Sequence, residues 1–229
     1  MAGRLKKVLK YGIGEVFLVT IGILLAIQIN NWNDNRKSAR ELRNILEVIS
    51  IDLESNIAEA EDLQKVLQVK SSYLSTIFDT AVSRDSLFKS PMSFASNTSF
   101  RDLTIRKRGL NLLRNFKSDN NVTSDSLLIS IEAFYGIYSR NNQMISDIIN
   151  SDVIGTLNYY RDNFDWYEKF VSAEITPSMI DDILTNTTTR NRLLHHKVLI
   201  DANYSVFLHS FATEGKQYLK DLKDRLDVD

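Results

Sequence analysis

The chain has 229 residues, with 28 Lys and Arg against 29 Asp and Glu, a formal net charge of −1 and a pI near 6.3. This balance argues against an electrostatic nucleic-acid binder, which needs a basic face. The absence of cysteine excludes disulfides, thiolate metal sites and a cysteine nucleophile. Only 2 Pro and 8 Gly occur, which predicts long helices in one domain of roughly 190 residues after an N-terminal segment.

The N-terminal segment predicts a transmembrane helix at residues 11–33. No charge lies between Val16 and Ala26, and about 20 residues of helix match a hydrocarbon core of about 30 Å. Four cations and no acid occur in residues 1–10, so the positive-inside rule places this tail in the cytoplasm and residues 34–229 in the periplasm. No small-residue cleavage site follows, which favours an uncleaved signal anchor in the inner membrane; a buried helix of a soluble protein is the alternative.

One carboxyl, that of Glu15, lies within this predicted span. At 100° per residue it shares a helix face with Val19, Gly22, Ala26, Asn30 and Asn33. A carboxyl inside the bilayer costs about 3 kcal/mol, so it should face protein or water, and the spacing of Gly22 and Ala26 lets two helices approach closely. The face predicts a homo-oligomer or a pairing with a partner's helix. A Glu15 that snorkels toward the inner headgroups needs no partner and is the alternative.

The string GEVFLVTIGILLAIQINNWN, residues 14–33, closely resembles the signature of an uncharacterised family of Bacteroidota single-span inner-membrane proteins, a domain of unknown function. Members of that family continue into a helical extracytoplasmic region with a segment similar to residues 98–116, where Arg106-Lys107-Arg108 stands in place of a short polar turn. The resemblance implies an inner-membrane location and a helical outer domain, and it implies no activity.

Residues 36–81 contain neither Gly nor Pro, and their apolar side chains recur at alternating steps of three and four. These side chains are Leu42, Leu46, Ile49, Leu53, Ala60, Leu63, Leu67, Leu74 and Ile77. Asn56 and Lys70 are the polar exceptions in this stripe. The spacing predicts one stalk helix, on the order of 70 Å long, that leaves the membrane and joins a bundle. Residues 82–100 break the period and predict a loop.

After the loop the chain predicts helices at about residues 101–116, 124–164, 177–184 and 190–226. The whole pattern predicts an all-α fold, in which a single transmembrane helix continues into a stalk and an antiparallel helical bundle. Aromatic residues cluster between residues 159 and 170. Packing at the bundle end is the expectation for this cluster, and a ligand-stacking pocket is the alternative.

Two sets of side chains are candidates for binding or modification. Arg101, Arg106, Lys107 and Arg108 form a basic stretch on the first helix after the loop, which is either a solvated face or a site for an anionic ligand or envelope polymer. Three short triplets resemble the O-glycosylation motif of Bacteroidota envelope proteins, and their hydroxyls belong to Thr80, Ser86 and Ser126.

No catalytic or metal-binding motif appears in the sequence. His195 and His196 are adjacent and point about 100° apart on a helix, and no acid lies four residues from either. We therefore expect no enzyme, no cofactor and no metal site. The predicted function is a structural or scaffolding protein that sits in the lipid bilayer, forms a homo-oligomer or a membrane-protein complex, and contacts a cell-envelope partner. A sensor-like bundle that binds a small ligand between helices and signals through a partner is the alternative.

Overall fold

The computed structural model describes residues 2–79, 81–88, 95–116 and 125–228, with the backbone alone for residues 2–16 and 228. Helix α1 spans Ala2–Phe78 without interruption, a length of about 115 Å at 1.5 Å per residue. Every regular element of the described residues is helical, so the fold is all-α. The stretch without Gly or Pro allows α1 to pass unbroken from its exposed N-terminal part into the bundle.

The other helices of the described residues follow α1 in chain order. They are α2 (Arg84–Phe88), α3 (Arg108–Asn115), α4 (Ser126–Asn163), α5 (Tyr167–Val171), α6 (Pro177–Thr185), α7 (Thr187–Val198) and α8 (Ser205–Val228), the last two joined by a π-helical segment, Leu199–Tyr204. Side chains cap the starts of three of them: the carboxylate of Asp125 for α4, the hydroxyl of Thr176 for α6 and the amide of Asn186 for α7.

Three long helical stretches form the body of the bundle. The stretch from α7 to α8 runs antiparallel to α1, since Ser71 bonds Asp201 whereas Glu54 pairs with Lys223. Helix α4 runs antiparallel to the stretch from α7 to α8, since the Tyr138 hydroxyl donates to the carboxylate of Glu214 at 2.7 Å whereas Asp152 lies 2.7 Å from His196. It therefore runs parallel to α1. The most extensive helix contact of the described chain is that between α1 and α8.

The buried face of α1 is the one that its sequence predicts. Eight of the nine stripe positions are buried and Leu42 is partly buried against the core. Rings fill the centre between α4 and α8, where Phe134 stacks on Phe211 with centroids 5.2 Å apart. The aromatic cluster of residues 159–170 packs on itself, with Phe164 and Trp166 stacked at 4.7 Å.

The predicted helix at residues 101–116 is wrong in its first half. Residues 99–107 have no regular secondary structure, and we call them the inner segment; only Arg108–Asn115 is helical. The predicted loop at residues 82–100 contains helix α2, and residues 89–94 of it lie outside the described part of the chain. The physical reason for the non-helical segment is its set of hydrogen-bond partners, which are side chains of α1, α4 and the π-helical segment.

The N-terminal part of α1 projects from the bundle as a lone helix. Every described side chain from residue 17 to residue 37 is exposed, including Leu18 at 71 % and Trp32 at 63 %. Within the described residues, no helix combines the length and the apolar character needed to cross a membrane. This finding does not support the predicted span at residues 11–33, of which residues 11–16 have no described side chains.

Candidate interaction sites

The predicted oligomerisation face lies on the lone part of α1. Val19, Gly22 and Ala26 are exposed, as are Asn30 and Asn33 of the same face, and the side chain of Glu15 lies outside the described residues. A methyl group added at Gly22 would meet no atom of the chain within 4 Å. The structure therefore brings these residues to one side of α1, where no other described helix touches them.

The basic stretch is largely matched by acids on α1. Arg101 and Arg106 both reach the carboxylate of Glu59, at 3.5 and 3.0 Å, and Arg108 lies 3.7 Å from Asp52. Lys107 is half-buried and has no ion pair within the described residues. The stretch is thus a row of pairs between the inner segment and α1, and three of its four cations already have a carboxylate.

Buried side chains bind the inner segment through its backbone. The Asn56 amide donates to the carbonyl of Arg106 at 2.9 Å and accepts from the N–H of the same residue at 2.8 Å. Asn142 donates to the carbonyl of Leu103 at 2.9 Å, and the Leu103 N–H donates to the hydroxyl of Tyr204 at 2.5 Å. These contacts satisfy backbone groups that a helix would otherwise have paired internally. Within residues 99–107 themselves, nothing in the sequence indicates these distant partners.

Helix α3 crosses α1 at very short range. A Cβ atom on Gly109 would lie 2.5 Å from the backbone nitrogen of Ile49, so only glycine fits there without movement. The Gly109 N–H donates to the carboxylate of Asp52 at 2.8 Å, and Asp52 is only 4 % exposed. Glycine and aspartate together fix the start of α3 on α1.

A buried polar pair joins α4 and α7, and the half-buried Lys70 of α1 lies nearby. The Nδ1 atom of His196 lies 2.7 Å from the carboxylate of Asp152, and His196 is fully buried. Burial lowers the pKa of His196, so the ring is neutral at pH 7, with Nδ1–H donating to Asp152. Its Nε2 atom has no hydrogen-bond partner within the described residues. Burial also lowers the pKa of Lys70, to about 8, and the Lys70 ammonium donates to the carbonyl of Ser99.

The sequence contains no local signal of this pair, because His196 and Asp152 lie 44 residues apart. Among the described residues, no group of three His, Cys, Asp or Glu side chains is placed to hold a metal ion. The pair instead adds a polar contact inside the core, directly before the π-helical segment. A π-helical turn inserts an extra residue into a helix and occurs often at functional sites.

An open groove runs between α4 and the π-helical segment with α8. It has a volume of ≈ 470 Å³. Its apolar walls include Met144 and Ile148 on α4 and Val206 on α8, which are 56 %, 50 % and 56 % exposed. Asn141 and Asn203 add polar groups from the two sides. The groove is able to hold an apolar ligand or a partner's side chains.

The candidate modification sites differ in access. Thr80 lies outside the described residues. The Ser86 hydroxyl is half-buried; it donates to the carbonyl of Ser83 at 2.7 Å and accepts from the Ser83 N–H at 2.9 Å. Ser126 is exposed as the first residue of α4. Of the two described sites, Ser126 is the more accessible.

Comparison with known proteins gives a family match and no functional relative. Residues 15–138, more than half of the chain, match a family described as a family of unknown function, DUF6090. The matched region runs from the lone part of α1 through the inner segment and α3 into α4. No curated protein and no solved structure matches the chain.

Proposed function

This chain belongs to DUF6090, a family of unknown function, and on that premise we propose that it is a non-enzymatic scaffolding protein anchored in a membrane. Residues 11–33 form the anchor, residues 1–10 are cytoplasmic and the bundle is periplasmic. The protein oligomerises through its anchor and contacts a cell-envelope partner with the bundle. The resemblance of residues 14–33 to the Bacteroidota family supports the inner membrane of that group as the location.

The exposed apolar side chains of α1 are the observation on which the proposal depends. Nine large apolar side chains between Phe17 and Ile29 are 37 to 71 % exposed, and no other described helix covers them. Leaving one such side chain in water instead of burying it costs about 1.5 to 3 kcal/mol. The apolar run of the sequence begins at Val16, before the first described side chain, and continues to Ile29. A bilayer covers this run on all sides, and a helix satisfies its own backbone hydrogen bonds there.

Oligomerisation is supported by the small residues on one side of the same helix. Gly22 and Ala26 are four residues apart, and the space beside Gly22 is open. Helices in a bilayer associate through such small residues because their backbones approach closely. In an oligomer, Glu15 on the same face faces protein instead of lipid, which lowers the free-energy cost of placing its carboxyl in the bilayer.

The test is the oligomeric mass of the full-length protein in a mild detergent. We expect a defined oligomer for the wild type and dissociation in Glu15→Leu and Gly22→Leu. Gly22→Leu is a clean probe, because the added side chain meets no atom of its own chain. Leu24→Phe adds bulk on the opposite side of the helix and serves as the control that leaves the oligomer intact. A wild type that is monomeric across detergents refutes the oligomer.

The anchor has its own test, which is flotation of the full-length protein with vesicles of neutral phosphatidylcholine. An anchored protein floats with the vesicles and resists extraction by salt and by alkaline carbonate. Protease added outside spheroplasts should cleave the bundle and leave residues 1–10 intact. This result would show that the N-terminus is cytoplasmic and the bundle periplasmic. A protein that does not float with the vesicles and is released by salt or alkaline carbonate overturns the proposed membrane location.

The groove on α4 favours a second candidate, the sensor-like bundle. A saturable site for an apolar fluorescent dye such as anilinonaphthalene sulfonate would report a ligand-binding groove. Ala202 lies in the wall of the groove and is exposed, so Ala202→Trp fills it without disturbing the core. One-to-one dye binding that this variant abolishes favours the sensor, and a wild type without saturable binding favours the scaffold.

A further inference from the structure

A cleft at the base of the bundle collects arginine side chains. It has a volume of ≈ 420 Å³, and its lining includes Arg36, Arg40 and Arg43 of α1 and Arg225 of α8. Ala39, Leu42 and Leu46 form its apolar floor. The three α1 arginines recur at steps of four and three, so they lie on one face of the helix. The cleft begins within two turns of Ile29, the last residue of the apolar run.

Two of these arginines lack a carboxylate partner. Arg43 pairs with Glu47 at 3.5 Å and Arg225 with Asp125 at 2.5 Å. Arg36 and Arg40 form no ion pair within the described residues, in contrast to the basic stretch of the inner segment. The cleft therefore holds uncompensated positive charge, which attracts a phosphate or another anion.

Both unpaired side chains turn back toward the apolar run. The Arg36 guanidinium lies over the ring of Trp32, 5.7 Å from its centroid. The Arg40 Nε donates to the carbonyl of Arg36 at 3.3 Å. These contacts follow from helix geometry, since side chains tilt toward the N-terminus of their helix. They bring both guanidinium groups closer to the apolar run than their own Cα atoms are.

The distances match the headgroup layer of a bilayer. Arg36 lies seven residues beyond Ile29, about 10 Å along the helix. The headgroup layer is about 5 to 7 Å thick on each side of the hydrocarbon core. A side chain that points back along the helix from Arg36 reaches this layer, and Trp32 occupies the interfacial position that indole rings prefer.

We propose that this cleft binds the phosphate of an anionic phospholipid headgroup through Arg36 and Arg40. The inference rests on the proposed membrane anchor, which brings the cleft to the lipid surface. A guanidinium presents two parallel N–H groups to phosphate oxygens, so two adjacent arginines hold one phosphate from two sides. The contact fixes the height of the bundle above the membrane and its rotation about α1.

The experiment measures lipid binding to the full-length protein in a neutral detergent by titration calorimetry. The probes are dihexanoyl phosphatidylglycerol, dihexanoyl phosphatidylcholine and inorganic phosphate. The test variant is Arg36→Gln with Arg40→Gln. The matched control, Lys37→Gln with Lys220→Gln, removes the same charge from two exposed positions outside the cleft. Circular dichroism confirms that both variants fold.

We expect phosphatidylglycerol to bind at least tenfold more tightly than phosphatidylcholine. The test variant should weaken phosphatidylglycerol binding at least tenfold, since it removes the charge-assisted hydrogen bonds of both guanidinium groups to the phosphate. The control should change it by less than threefold. Equal binding of the two lipids, an unchanged test variant, or equal loss in the control overturns the proposal.

Inorganic phosphate separates the two sources of this chemistry. If inorganic phosphate competes only weakly with phosphatidylglycerol, the result supports a lipid headgroup as the ligand. If phosphate binds as tightly as phosphatidylglycerol, the site belongs to a soluble phosphate ligand and the lipid proposal is overturned. Flotation with phosphatidylcholine vesicles reports the anchor independently. A protein that fails to float yet retains the arginine-dependent binding of phosphatidylglycerol overturns the proposed anchor and leaves the lipid site standing.

Discussion

Replacing Gly109 by alanine tests the close crossing of α3 over α1. The new Cβ atom would lie 2.5 Å from the backbone nitrogen of Ile49 and 2.7 Å from its Cα atom. Carbon atoms pack favourably at about 3.5 to 4.0 Å, so α3 must move by about 1 Å. That movement lengthens the 2.8 Å hydrogen bond from the Gly109 N–H to Asp52 beyond the usual range.

The expected destabilisation follows from these two effects. Overpacking against a backbone costs about 1 to 3 kcal/mol, and a weakened hydrogen bond to the buried carboxylate of Asp52 costs about 1.5 to 3 kcal/mol. The higher helix propensity of alanine returns about 1 kcal/mol. We expect Gly109→Ala to lower the free energy of unfolding by about 3 kcal/mol. For a chain of this size that is a fall in Tm of about 6 to 12 °C.

Gly136→Ala is the matched control, because a Cβ atom on Gly136 meets nothing within 4 Å and the residue lies within α4. It should raise the free energy of unfolding by about 0.5 to 1 kcal/mol. Urea denaturation followed by circular dichroism measures both variants. If Gly109→Ala is as stable as Gly136→Ala, the close crossing does not exist in solution.

Three further predictions concern polar side chains that are buried or half-buried. Asn56→Ala removes two part-buried hydrogen bonds from the backbone of Arg106 and should lower the free energy of unfolding by about 2 to 4 kcal/mol in urea denaturation. Asn150→Ala, at an exposed position, should change it by no more than about 0.5 kcal/mol. Because the pKa of His196 is lowered in the fold, the unfolded chain binds a proton at a higher pH than the folded chain does. The free energy of unfolding should therefore fall as the pH drops below about 6.5. His196→Gln should flatten this fall between pH 7 and pH 5, and an equally steep fall in the variant contradicts the assignment. The pKa of Lys70 is about 8 in the fold, below the ordinary value of 10.5. Between these values the unfolded chain binds more protons, so the free energy of unfolding should rise from pH 8 to pH 9.5. Lys70→Gln should remove that rise, as measured by urea denaturation at the two pH values. An equal rise in the variant contradicts the role of Lys70.

The buried face of α1 was predictable because its signal is local. Apolar residues at steps of three and four specify one side of a helix whatever packs against it, and positions such as Leu53 and Leu74 are buried as that spacing predicts. The sequence also contained a signal that the stripe alone did not explain. Asn56 and Lys70 interrupt the stripe, and both bind the backbone of the inner segment, at Arg106 and Ser99.

The inner segment itself was not predictable, because the groups that hold it in a non-helical conformation are distant in sequence. Leu103 bonds Asn142 and Tyr204, which lie 39 and 101 residues further along the chain. Thr98 and Ser99 resemble helix caps, and the cations that follow read as a helix surface. Tertiary hydrogen bonds overrode this local preference. The pairing of His196 with Asp152 was hidden for the same reason.

The dependence of α1 on the last helix has a consequence for the synthesis of the protein. Gly215 of α8 packs on Ile57 of α1, and 158 residues separate the two positions. Ribosomes add about 5 to 20 residues per second, so roughly 8 to 30 seconds pass between the synthesis of this part of α1 and that of the α8 residues that bury it. During that interval the emerging chain presents a long apolar stripe to its surroundings. A nascent chain arrested before α7 should therefore need a chaperone, and the completed chain should release it.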